Sequence, residues 1–90
     1  MRIVNTTSFP TPFVRRVAGW VCRELDLKST GLRLQVGRKV RHQYWSGVCY
    51  GRKVIVNVHP RIETTAQIIN LVEGLGHELF HTVQYIEGLW

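Results

Sequence analysis

Between Thr64 and Ile86, apolar side chains fall at Ile68, Leu71, Val72, Leu75, Leu79, Val83 and Ile86. That three- and four-residue recurrence marks the buried stripe of one long amphipathic helix, which Thr64 or Thr65 can cap. In a chain of 90 residues, such a helix commits much of the molecule to a single element. The chain is short enough to expect one domain spanning residues 1–90, with only about 60–65% of its unfolded surface buried on folding.

The remaining segments predict a sheet and a second helix. Residues 1–10 read as an irregular or extended lead-in. Thr11-Pro12 then resembles a helix start, with Thr11 at the N-cap and Pro12 at the first helical position. Phe13, Val17, Trp20, Val21 and Leu25 continue it with helical spacing, and Ser29-Thr30-Gly31 closes it. Leu32-Arg33-Leu34-Gln35-Val36 alternates with period two, as a half-buried strand does. Val40–Tyr50 is rich in β-formers and is interrupted at Ser46-Gly47, where a bend or bulge is expected. Gly51-Arg52 reads as a tight turn into the strand Lys53–Val58, which His59-Pro60 ends. The expectation is an α+β domain: an N-terminal helix, a three-stranded antiparallel meander and the long C-terminal helix.

That last helix carries His77-Glu78-Leu79-Phe80-His81. Residues four apart lie one turn above each other on a helix, so His77 and His81 can converge on one metal ion. Glu78, the neighbouring residue, is placed to take a proton from a water that zinc acidifies. The spacing predicts His77 and His81 as zinc ligands and Glu78 as general base, with the polar members of the motif opposite the apolar stripe. A catalytic site needs a third protein ligand. Candidates are Glu87, His42, His59, the carboxylate of Trp90, or a residue of another chain. Gln84 shares the motif's face and can bind or orient something, although an amide is a poor zinc ligand.

Twelve Lys and Arg against six Asp and Glu give a net charge of +6, a balance that favours polyanionic partners. Arg38, Lys39, Arg41, Arg52 and Lys53 cluster around two expected turns, with Tyr44 and Trp45 between them. That is a pattern able to contact DNA or RNA phosphates while stacking bases. Cys22 and Cys49 form no CxxC pair and are expected as buried or half-buried free thiols. No run approaches the roughly 18 apolar residues of a membrane span. The first residues lack the apolar core of a secretory leader, so a cytoplasmic location is expected.

From Ser46-Gly47-Val48-Cys49-Tyr50 through Lys53-Val54-Ile55-Val56-Asn57 to the His77–His81 motif and Thr82-Val83-Gln84-Tyr85-Ile86-Glu87-Gly88, the second half resembles the SprT-like family of zinc metallopeptidases. The resemblance implies His77 and His81 as ligands, Glu78 as catalytic acid/base, and a protein substrate associated with nucleic acid. Family members take a third histidine from further downstream, whereas nine residues follow His81 here. The helix-sheet-helix order is also similar to that of small zincins of the minigluzincin type. Beside the peptidase reading stands a non-catalytic, basic nucleic-acid-binding module with a vestigial or incomplete zinc site. A third reading is a small interaction protein, dimeric through Trp20, Trp45 and Trp90.

Overall fold

A computed structural model describes residues 1–37, 47–57 and 65–88. Its elements are β1 (Arg2–Asn5), α1 (Thr11–Glu24), β2 (Arg33–Gly37), β3 (Gly47–Tyr50), β4 (Lys53–Asn57) and α2 (Thr65–Ile86). The α+β class agrees with the expectation, but the meander does not. The sheet is four-stranded and mixed, in the order β1-β2-β4-β3. Strands β1 and β4 both run parallel to β2, and only β3 and β4 pair antiparallel.

Two connections account for this topology. Gly51, with φ +65°, makes the tight turn that folds β3 back on β4, leaving Tyr50 opposite Lys53 and Gly47 opposite Val56. Between β1 and β2 the chain passes through α1, and a helical crossover of this length is what parallel neighbours require. Arg2-Ile3-Val4-Asn5, expected as lead-in, is therefore an edge strand whose Ile3 packs against the core. Its weakness as a sequence signal follows from its four residues and its alternation of exposed and half-buried positions.

Asn5 organises the exit from β1. Its side-chain amide donates to the Phe9 carbonyl at 2.6 Å, and its Oδ1 accepts from the Thr7 amide at 3.0 Å. Helix α1 begins at Thr11, with Pro10 rather than Thr11 as the N-cap residue and no side-chain cap bond. It ends in a Schellman motif: Leu27 N–H bonds Cys22 C=O at 2.8 Å and Asp26 N–H bonds Arg23 C=O at 3.2 Å. Asp26 supplies the left-handed residue this closure needs (φ +53°).

Both helices pack on one face of the sheet. Val14, Ala18, Val21 and Cys22 of α1 share one core with Leu34, Val36, Val54 and Val56 of the sheet and Leu71, Leu75 and Leu79 of α2. Each fully buried leucine contributes about 1.5–3 kcal/mol relative to exposure. The buried stripes differ in detail from expectation. Trp20 is half exposed, and Ile68 and Ile86 lie at the solvent side of α2, because the sheet contacts are made by the neighbouring 14/18/21/22 and 71/75/79 positions. Cys22 and Cys49 are buried free thiols, as expected. Among the described residues, no helix is long and apolar enough to cross a membrane.

Candidate metal centre on the second helix

Helix α2 lies across β3 and β4, with its 71/75/79 leucines centred on the sheet. Positions 78 and 82 flank that stripe on the side of β3, and the structure buries both. Glu78 is 3% exposed and Thr82 is fully buried. The motif's polar residues do not all lie opposite the apolar stripe, as the sequence suggested. The carboxylate faces inward, and the two histidines follow it around the helix toward solvent.

Room for Glu78 comes from the strand beneath it. Gly47 opens β3, and a Cβ there would stand 3.0 Å from Cγ and 3.2 Å from Cδ of Glu78. It would also collide with the Ile55 carbonyl of β4. Any side chain at position 47 would therefore displace the glutamate or the strand pairing. The Ser46-Gly47 interruption was visible in the sequence as a break in a β-rich run, but its function is a matter of space.

Next to Glu78, a buried polar triangle pins α2 to the β3–β4 turn. Thr82 Oγ1 donates to the Gly51 carbonyl at 2.8 Å. Cys49 Sγ lies 3.3 Å from that same oxygen and 3.4 Å from Thr82 Oγ1. Burial raises the Cys49 thiol above its ordinary value. The Thr82 hydrogen bond opposes the shift, the nearby Glu78 charge adds to it, and the Gly51 bond opposes it. This thiol is held in its protonated form as a structural contact.

His77 and His81 stand one turn apart, their ring centroids 4.8 Å from each other and their planes at 87°. The His77 side chain is 60% exposed, and its Nε2 lies 3.8 Å from Glu78 Oε1. His81 is half-buried, and its Nδ1 is 2.8 Å from Gln84 Oε1. With the amide oxygen accepting, Nδ1 carries the proton and Nε2 presents its lone pair, the arrangement that metal-ligating histidines adopt when a neighbour fixes the tautomer. Position 84 thus acquires a role as orienter of His81, which its i+3 spacing permits.

Two imidazoles held this close, with one tautomer set by a neighbouring acceptor, fit zinc as a pair of nitrogen ligands. Among the described residues, no third His, Cys, Asp or Glu completes a metal-holding group with them. Glu87 sits just past α2, its amide bonded to the Val83 carbonyl. It lines a cleft with Asp26, Lys28 and Arg52, because six residues of helix carry it away from the histidine flank. His42, His59 and Trp90 lie outside the described residues.

Of the basic positions expected to meet nucleic acid, Arg52 is tied down, its Nη1 donating to the Thr30 carbonyl at 2.9 Å. Lys53 is exposed at the start of β4. Arg38, Lys39, Arg41, Tyr44 and Trp45 lie outside the described residues. Compared with known proteins, the chain matches no family model, no curated protein and no solved structure.

Proposed function

We propose that this chain is a zinc-dependent endopeptidase of the His-Glu-x-x-His type, as its resemblance to the SprT-like and minigluzincin zincins implies. The observation that carries the reading is the placement of Glu78: buried against Gly47, one residue from His77, with the two imidazole rings 4.8 Å apart beside it. A vestigial pair of surface histidines has no use for a carboxylate seated in a space cleared by a glycine.

In this reading His77 and His81 would hold Zn2+, and Gln84 would fix the tautomer of His81 through its Nδ1. Bound zinc supplies Lewis acidity to the scissile carbonyl and lowers the pKa of water towards about 7. Glu78 takes the proton of the attacking water and delivers it to the leaving amide nitrogen. Its carboxylate is held in place by packing, so little reorganisation is needed during the reaction. Strand β3 ends the sheet order among the described residues, and a peptide or unfolded protein segment can add to it in extended form through backbone hydrogen bonds. A third ligand would have to come from His42, His59 or the Trp90 carboxylate, which lie outside the described residues, or from another chain. A partner chain of a homo-oligomer is the alternative donor. A cytoplasmic setting, with both cysteines free thiols, suits such an enzyme.

The test is zinc per chain, measured by mass spectrometry on protein purified without a metal column, alongside cleavage of an unfolded protein. Near-stoichiometric zinc, with cleavage abolished and zinc retained in Glu78→Gln, is expected. A chain that folds but holds negligible zinc sinks the peptidase reading and leaves the basic nucleic-acid-binding module, which is indifferent to Glu78→Gln.

A further inference from the structure

The sheet face turned away from the helices carries a pattern that the linear sequence conceals. Arg2 of β1 is in register with Arg33 of β2, and Arg33 is in register with Lys53 of β4. Lys53 in turn pairs with Tyr50 of β3. Register partners point to the same face of a sheet, and Leu34, Val54 and Cys49, the next residues along, are buried towards the helices. Arg2, Arg33, Lys53 and Tyr50 therefore form one row straight across all four strands, on the opposite face. All four are exposed, Tyr50 at 65%.

Neighbouring strands lie about 4.8 Å apart, so the three cations span roughly 10 Å and Tyr50 stands one strand further. Among the described residues, none of the three makes a side-chain hydrogen bond or ion pair. None of the four described strands contains an acidic residue. The described carboxylates belong to α1, α2 and the residues just after them: Glu24, Asp26, Glu73, Glu78 and Glu87. Among the described residues, charge is thus segregated across the sheet, with no carboxylate beside the cations of the open face. Arg2, Arg33 and Lys53 line a shallow cleft of about 210 Å³ with Val4, Leu34 and Gln35.

Like charges directly opposite each other on adjacent strands destabilise a sheet. Two such pairs in one row, with no described carboxylate between them, are a cost that a merely solvated face has no reason to carry. A row of cations ending in an exposed aromatic ring matches a single nucleic-acid strand: phosphates on the cations, and a base on the ring. An anionic membrane would be drawn to the charge but has no use for a stacking ring at the end of the row.

We propose that the open sheet face binds single-stranded nucleic acid, with Arg2, Arg33 and Lys53 neutralising the backbone and Tyr50 stacking a base. Of the basic cluster expected from the sequence this row shares Lys53, and it does not depend on the zinc site. Each phosphate neutralised on a single strand contributes about −0.7 to the slope of log K against log salt, so three contribute about −2.

The experiment is fluorescence anisotropy of a labelled oligothymidylate over a salt series, with the full chain. Removing the three charges together (Arg2→Gln, Arg33→Gln, Lys53→Gln) is expected to make the slope shallower by about 2. Tyr50→Ala is expected to weaken binding about ten-fold with the slope unchanged, and Tyr50→Phe to restore it. The pair Arg2→Lys and Arg33→Lys keeps the charge and should bind as the parent, which separates charge loss from damage to the fold. Far-UV circular dichroism monitors every variant. No binding at low salt overturns the proposal. So does a charge-neutral variant with the parent's affinity and slope, which would place any nucleic-acid contact elsewhere. Binding to phosphatidylserine vesicles but not to the oligonucleotide would assign the row to membranes instead.

Discussion

Gly47 of β3 lies directly under the carboxylate arm of Glu78 of α2, so close that a Cβ at position 47 would approach Glu78 Cγ to 3.0 Å. A strand residue chosen for its lack of a side chain, and a buried charged residue on the facing helix, are thus two halves of one arrangement. The helix supplies the carboxylate, and the strand supplies the space.

Gly47→Ala should therefore destabilise the domain by about 1–3 kcal/mol, as overpacking does in a closed interior, and should reduce peptide cleavage further by displacing Glu78. Gly76→Ala is the matched control on α2, since a Cβ there meets nothing within 4 Å. It should stabilise by up to about 1 kcal/mol, because alanine loses less backbone entropy in a helix. Thermal unfolding of the two variants checks the contrast. Equal and small shifts would mean that position 47 has slack.

Gln84→Ala removes the acceptor that fixes the His81 tautomer. Losing an outer partner of this kind typically weakens metal affinity by about 10–100-fold. Competition with a calibrated zinc chelator measures the change, and the melting temperature of the metal-free protein should hardly move. An unchanged zinc affinity would show that the 2.8 Å contact does not orient the ligand.

The two thiols predict a pH dependence on the alkaline side. Burial raises Cys22, against the N-terminal charge and Arg23, and burial likewise raises Cys49. The ordinary value for both is 9.0. The folded state then holds these protons more tightly than the unfolded chain does. Their contribution to stability is complete below the unfolded value and is lost as pH rises above it. The melting temperature should fall more steeply above about pH 9 in the parent than in the Cys22→Ala, Cys49→Ala double variant. Parallel curves would show that neither thiol is linked to folding.

Much of this was legible in the chain. Leu71, Leu75 and Leu79 announce α2 because helical periodicity is a local property, and His77 and His81 share a flank because four residues make about one turn. The Lys53–Asn57 strand and the turn at Gly51-Arg52 were equally local. The sequence also determined that Glu78 sits a fixed angle from the histidines. It could not determine which flank of the leucine stripe would be buried, since Val72 and Val83 border it on one side and Glu78 and Thr82 on the other.

The tertiary structure decided that question, because β3 arrives on the Glu78 side and brings Gly47. It also decided that β1 is a strand, that β2 and β4 run parallel, and that Arg2, Arg33, Lys53 and Tyr50 stand in one row. Those residues are scattered over the first 53 positions. Strand neighbours are chosen by hydrogen bonding between distant segments, for which no short-range periodicity exists. The motif that offers chemistry was thus written in adjacent residues, while the space that seats its carboxylate and the cationic face behind it exist only once the sheet has formed.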